Sequence, residues 1–358
     1  MNRIKINKRE DLPKNKVAII RLVSVLGSIV AAGIIILIFG LNPIGIFRAM
    51  IEGALGTEIR IKQTIVKAIP LIITSLGILV AFKMKFWNIG GEGQIVIGAT
   101  AAAVVALKWS PNVPQPIMLI AMIIAAMIAG GLWALIPAFF KAKMGTNETI
   151  FTLMLNYIAI KFVTYLQYGP WKDPNANGFP KIPPFPDNAL MPQVLGVHAG
   201  WVIAVIAVLI IYFLMNKTKL GYEIAVVGES IETAKYAGMN TKAIIMAAMF
   251  ISGGLCGLTG MIQASAIEKS LIAGISTGYG FTAIITTWLA RLNALAVVIV
   301  CIAFAILLQG GAYIQIAMEV PEAVAQIVQG LILFFVLGSE FFIQYKVTFR
   351  NGKVKEVA

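Results

Sequence analysis

Hydrophobic residues gather into long, nearly unbroken runs along this chain, separated by short polar or basic stretches. A helix that crosses a bilayer needs about 20 mostly apolar residues. The pattern predicts ten such segments, near 18–41, 65–82, 87–107, 115–139, 148–168, 200–216, 243–266, 279–290, 294–316 and 322–344. The eighth is too short for a full crossing and begins in Ser276-Thr277-Gly278-Tyr279-Gly280, so a broken or partly unwound segment is expected there. The first is too long, and lacks the small-residue cleavage site that would follow it, to read as a signal peptide. The expected fold is an all-α polytopic membrane protein: a basic N-terminus over 1–17, a transmembrane domain over 18–344 and a basic C-terminus over 345–358.

Two longer intervals interrupt the rhythm. Residues 169–199 hold seven prolines (170, 174, 180, 183, 184, 186 and 192), which cannot sustain a helix. A stiff, irregular cap is expected, either a passive connection or a docking surface for an outer partner. In residues 217–242, Ser230 is placed to cap a two-turn helix over 231–237, and Gly238 suits the left-handed residue that ends it. Ile231 and Ala234 share one face, with Glu232 and Lys235 beside it. So short a helix is marginal alone, and it rests either on its own bundle or on a partner protein.

Composition agrees. Of 358 residues, 59% are hydrophobic and only 13% are charged, against about 25% charged in soluble domains. That excludes a cytosolic enzyme, a disordered scaffold and a disulfide-rich secreted protein. The net charge of +13 reports topology rather than nucleic-acid binding. Most cations fall on one side if the N-terminus is cytoplasmic and there are ten crossings, which places both termini inside. Cys256 and Cys301 lie within apolar runs and read as small buried thiols. His198 has no partner cluster, so neither a metal site nor a catalytic triad is expected.

Ionisable and amide side chains at membrane depth are expensive and mark functional candidates. The densest cluster is Phe86-Trp87-Asn88-Ile89-Gly90-Gly91-Glu92-Gly93-Gln94. Asn88 and Glu92 are four apart and are expected to share a helix face, and the glycines weaken the helix. Either this is an opened helix beside a water-filled path, or Glu92 sits near the headgroups. Glu148, Thr152 and Asn156 form a second polar stripe, and Glu322, Gln326 and Gln329 a third, each expected to point into the bundle. Interhelical hydrogen bonding is the alternative role for both. Gly253, Gly257 and Gly260 read as a close-packing edge. No G-x-x-x-x-G-K-[ST] loop is present, and no potassium-channel filter or voltage-sensor arginine series. The chain reads as a conduit that borrows its energy.

These residues resemble a family. Phe86–Gln94 is similar to the F-x-N-I-G-x-E-G-Q segment of permease subunits in bacterial ABC importers for nucleosides and simple sugars. Asn147-Glu-Thr-Ile-Phe-Thr-Leu-Met-Leu-Asn-Tyr-Ile-Ala159 resembles the family's N-E-x-I-x-T-x-M-L-N-Y-I-A. Leu220–Glu229 with Ala234-Lys-Tyr-Ala-Gly238 resembles its cytoplasmic coupling segment; Gly278–Ile284 and Ile327–Ile332 match later motifs. Gly169-Pro-Trp-Lys-Asp-Pro174 and Gly178-Phe-Pro180 resemble the outer loop of the longer of two paired nucleoside permeases. One departure is Leu289-Ala-Arg-Leu-Asn-Ala294, where the family often has L-x-G-x-x-x-P; another is Ile285-Thr-Thr-Trp288, where it usually has an acidic or small polar residue.

The resemblance implies two related halves, a bacterial cell-membrane location and no cofactor on this chain. It implies a separate ABC ATPase that uses ATP, a second homologous permease completing a heterodimer, and a substrate-binding lipoprotein that delivers a nucleoside. Candidate path residues are Asn88, Glu92, Gln94, Glu148, Thr152, Asn156 and Gln326. Candidate ATPase-coupling residues are Glu229, Ile231, Glu232, Ala234, Lys235, Tyr236 and Gly238. A simple-sugar permease and an ATP-independent secondary transporter are the rival readings, the second leaving the capped 231–237 helix unexplained. A membrane-embedded enzyme finds no His or Cys constellation to support it.

Overall fold

A computed structural model describes residues 4–8, 13–109 and 112–349; the expected basic termini fall partly outside them. The elements in order are strand β1 (Ile4–Lys8) and helices α1 (Lys14–Ile38), α2 (Pro43–Leu55), α3 (Glu58–Lys83), α4 (Gly91–Lys108), α5 (Gln115–Met144) and α6 (Glu148–Tyr168). A two-residue hairpin follows, β2 (Gln193–Val194) and β3 (Val197–His198). Then come α7 (Gly200–Lys217), α8 (Lys219–Glu229), α9 (Ile231–Tyr236), α10 (Thr241–Ile262), α11 (Tyr279–Leu289), α12 (Ala294–Ala317), α13 (Glu322–Gln344) and β4 (Tyr345–Phe349). Among the described residues nine helices are long and apolar enough to cross a membrane. The chain is a multi-pass, all-α membrane protein.

Each helix starts and stops where local chemistry dictates. Asn42 accepts hydrogen bonds from the amides of Ile44 and Gly45, and Pro43 opens α2, whose missing N–H is no loss at that position. Helix α2 lies outside the long apolar runs, and Asn42-Pro43 is its start signal. Asn147 caps α6 in the same way, and Gly145, at φ 66°, ends α5. The expected break near the eighth segment is present: Thr277 and Gly278 have φ of 44° and 81°, and α11 has only 11 residues. The interval 217–242 carries an additional helix, α8, capped by Thr218.

The chain divides into two compact units. The first comprises Met1–Arg60 and Ile306–Ala358. Its core joins Ala32 and Ile36 of α1, Ile46 and Met50 of α2, Ile314 of α12, and Val324, Ala325 and Val328 of α13. The Arg60 guanidinium stacks 4.3 Å over the Tyr313 ring and also donates to its hydroxyl at 2.9 Å. Strands β1 and β4 pair antiparallel, Ile4 opposite Phe349 and Lys8 opposite Tyr345.

The second unit, Ile61–Ala305, is built on α3, α4, α5 and α10. Helix α3 is buried on every face from Ala68 to Phe82. The glycine edge of α10 packs as its spacing predicts: a Cβ on Gly257 would strike the Ala126 carbonyl of α5, and one on Gly260 the Ile95 carbonyl of α4. Small residues let backbones approach closely where lipid offers no hydrophobic drive. Hydroxyls stitch the same layers, with Ser75 meeting Thr286 at 2.7 Å and Thr74 meeting Thr259 at 3.0 Å. Outside, α7 presents Val205, Ile206, Leu209, Ile210 and Phe213 exposed, a face suited to acyl chains.

The proline-rich interval is a fitted cap. Phe185 donates its amide to the Lys269 carbonyl at 2.9 Å, Ser265 donates to the Ala189 carbonyl at 2.6 Å, and Gln167 donates to the Pro180 carbonyl at 2.6 Å. Ile182, Phe185, Ala189 and Met191 of the cap itself are buried.

Candidate functional site

Past Lys83 the chain does not run straight into the next helix. The Phe86 amide bonds back to the Ala81 carbonyl at 3.1 Å, and Lys85 has φ 58°, so residues 84–90 fold alongside the last turn of α3. Helix α4 then begins at Gly91. Asn88 therefore precedes the helix, and the expectation that Asn88 and Glu92 share one helical face is corrected. The physical reason lies in the glycines: they start a helix and admit close neighbours instead of opening a helix from within.

The irregular segment is held by side chains from other helices. Asn88 donates to Ser252 of α10 at 3.0 Å and to Gln94 Oε1 at 3.2 Å, and its Oδ1 accepts from Gln94 Nε2 and the Gly90 amide, both at 3.0 Å. Thr152 of α6 accepts the Ile89 amide at 3.3 Å. Asn156, one turn on, donates to the Ile89 carbonyl at 2.9 Å and accepts the Gly93 amide at 2.8 Å. A Cβ on Gly93 would sit 2.9 Å from Asn156 Oδ1 and 3.0 Å from its Cα, so a side chain there would press against α6. Asn88, Gln94, Thr152 and Asn156 are all buried. Ser252 lies 11 residues past Thr241, about 16 Å along α10 at 1.5 Å per residue. Irregular backbone thus reaches well inside the bundle, with its polar groups satisfied as an apolar solvent demands.

Glu92 has a separate task. It is 3% exposed, and its Oε1 accepts the amides of Gly280 at 2.7 Å and Phe281 at 3.3 Å. These are the first-turn N–H groups of α11. Gly278, the residue before that helix, has no side chain with which to cap it. Glu92, 188 residues away in sequence, supplies the missing cap, and its negative charge lies at the positive end of the helix dipole. Gly280 in turn lies so close to the Gly91–Glu92 backbone that a Cβ there would collide with it.

Glu148, at the start of α6, is ion-paired to Lys141 at 2.8 Å. Both border a cleft of about 340 Å³ lined also by Lys85, Gly228, Ser230 and Glu232. Glu229 stands 3.6 Å from Lys85 with both groups largely exposed, a pairing that contributes little to stability. Helix α9 forms as its sequence predicts. Ser230 Oγ accepts the Thr233 amide at 3.1 Å, and at the other end the Met239 and Gly238 amides bond to the Ala234 and Lys235 carbonyls, with Gly238 at φ 75°. Ala234 faces inward; Ile231, Glu232, Lys235 and Tyr236 are exposed, Tyr236 at 96%.

Gln326 belongs to the first unit. Helix α13 turns Val324, Ala325 and Val328 inward and leaves Gln326 exposed, with Gln329 half-buried. The expectation of an inward stripe fails at Gln326, because Val324, Ala325 and Val328 fill the face against α1 and α2, and holds at Gln329, whose side chain lies against Gly311 of α12; the Glu322 side chain lies outside the described residues.

A family model described as "Branched-chain amino acid transport system / permease component" matches residues 60–337. The chain is 34% identical over 337 residues to a glucose ABC transporter permease protein of Haloferax volcanii, covering 90% of this chain and 88% of that one. It is 31% identical over 346 residues to a guanosine ABC transporter permease protein of Bacillus subtilis, covering 94% and 97%. It is 28% identical over 334 residues to a nucleoside ABC transporter permease protein of Lactococcus lactis, covering 90% and 91%.

Proposed function

The chain belongs to the family of permease components of branched-chain amino acid transport systems, and from that premise we propose that it is the membrane permease of an ATP-driven importer whose cargo is a nucleoside. The observation that carries the coupling role is α9, a helix capped at both ends with Glu232, Lys235 and Tyr236 exposed. A short helix that presents charge and an aromatic ring to solvent suits a seat on a separate ATPase. Ala234, turned inward, and Gly238, which ends the helix, set its position, and Glu229 and Ile231 flank its start.

The nucleoside reading draws support from the guanosine and nucleoside relatives and from the 169–180 motifs of the outer loop. The glucose relative favours a second reading, a sugar cargo. A second permease completes the path, and a binding lipoprotein docks on the proline-rich cap, whose fixed shape lowers the ordering cost of association. The pairing of β1 with β4 supports both chain ends on one side, the cytoplasmic one by the distribution of Lys and Arg.

Asn88, Gln94, Thr152 and Asn156 hold the wall of the path rather than grip the cargo. An importer must release what it is handed, so recognition along the route stays weak. The test is uptake of labelled guanosine and labelled glucose by vesicles holding the full complex, with and without internal ATP. ATP-dependent guanosine uptake is expected. Glucose uptake alone selects the sugar reading, and uptake without ATP refutes the importer.

A further inference from the structure

Three aromatic rings meet where the segment 84–90 passes α11. The Trp87 and Trp288 rings have centroids 5.6 Å apart and planes 32° apart. Phe82, buried in α3, backs both, at 5.4 Å from Trp87 and 5.7 Å from Trp288. Trp87 is 45% exposed and Trp288 half-buried. Such a partly open cluster of tilted rings beside Asn88 is unexplained by packing within the unit.

The first alternative is an interfacial anchor in lipid, where tryptophans collect. The backbone argues against it. Trp87 sits in a non-helical segment, and Trp288 is the penultimate residue of a helix only 11 residues long, followed by Arg291 and Leu292 in left-handed conformation. Irregular backbone at membrane depth is tolerated where it faces protein or water, and not where it faces lipid. Discontinuous helices are also where transporters place their cargo. Two part-exposed indoles beside irregular backbone therefore suit an aqueous route better than lipid.

Resting on the nucleoside reading above, we propose that Trp87 and Trp288, backed by Phe82, form a stacking platform for the aromatic base of the nucleoside in transit. An aromatic face attracts any nucleobase without reading its hydrogen-bonding edge, and stacking scales with ring area. That gives a contact broad enough for several nucleosides and weak enough to release them. Asn88, the neighbour of Trp87, is already engaged with Gln94 and Ser252, so it leaves the platform free of competing polar groups.

The test measures uptake of labelled adenosine and labelled uridine by vesicles holding the full complex, at saturating loaded binding protein, for the wild type and for Trp87→Leu, Trp288→Leu and Trp288→Phe. Loss of the platform should slow adenosine uptake by roughly fivefold to tenfold, uridine by clearly less, and Trp288→Phe should recover most of the rate. Equal loss for both nucleosides, or none for either, overturns the platform. A wild-type complex that carries neither nucleoside refutes the nucleoside reading instead, a result visible before any variant is made. Where the leucine variants fail to assemble, photolabelling of the wild-type complex with 8-azidoadenosine during turnover decides. Adducts in 84–90 or 279–289 support the platform, and adducts confined to other segments overturn it.

Discussion

Replacing Glu92 tests whether one carboxylate holds the broken helix together. It accepts two first-turn amides of α11 from another helix. Glu92→Ala strands the buried Gly280 N–H, at about 1–3 kcal/mol, and the part-buried Phe281 N–H, at the low end of that range. Together the expected loss is roughly 2–4 kcal/mol, local to the start of α11. Glu92→Gln keeps an oxygen acceptor and loses only the charge, worth about 0.3–1 kcal/mol at an exposed helix N-terminus and up to about 2 when partly buried. The amide also escapes the desolvation penalty of a buried charge, so its effect lies at the low end. Hydrogen exchange followed by mass spectrometry on the 278–289 peptide reads this directly. Exchange should quicken at least tenfold in Glu92→Ala and slightly in Glu92→Gln, with peptides of α7 unchanged. Transport should slow in the same order, with little change in the external concentration that gives half-maximal uptake. Wild-type protection of Gly280 and Phe281 in Glu92→Ala would refute the cap.

Three further outcomes follow from particular residues. Arg291→Gly should raise the melting temperature by a few degrees, since Arg291 has φ 52° and a left-handed conformation costs an L-residue about 1–2 kcal/mol; a lower melting temperature would contradict it. His198 is buried, its ring nitrogens lack partners among the described residues, and burial lowers its pKa to about 4. The unfolded chain takes up that proton near pH 6.5 and the folded one does not, so stability should fall by roughly 3 kcal/mol between pH 6.5 and 4. Thermal melts of His198→Leu should lose the part of that slope due to His198. Charge reversal at both Glu232 and Lys235 should leave melting unchanged while ATP hydrolysis no longer drives uptake; normal transport would remove α9 from the coupling role.

The fold was legible wherever a property is local. Apolar runs gave the long helices, Ser230 and Gly238 gave the ends of α9, and Ser276–Gly280 gave the break before α11. The eighth segment could be seen as broken, yet not what repairs the break, because Glu92 is 188 residues from Gly280. Nothing in periodicity links a carboxylate to a distant helix start. Asn88 departs from the expected helix face for a related reason. An i, i+4 rule presumes a helix, and the glycines that looked like weak helix formers are spacing residues that let α4, α6 and α11 touch. For Gln326, polarity alone pointed inward, while shape decided which face of α13 was buried. The meeting of Trp87 with Trp288 left no trace in either local pattern.

The division into units bears on the order in which the protein can be made. The unit of Ile61–Ala305 is continuous in sequence, so a ribosome delivers all of it before the remaining helices emerge. Its polar cluster and the cap on α11 can close while synthesis is still under way. The other unit is split between the two ends of the chain, so α1 and α2 wait in the bilayer until α12 and α13 follow. For Ile46 and Met50 the wait is nearly free, because acyl chains solvate them as well as Val324 does. Arg60 fares differently, since Tyr313 arrives some 250 residues later. Until then its guanidinium has to find water or headgroups, which makes the late arrival of α12 the step that a translation pause or a truncated transcript would expose.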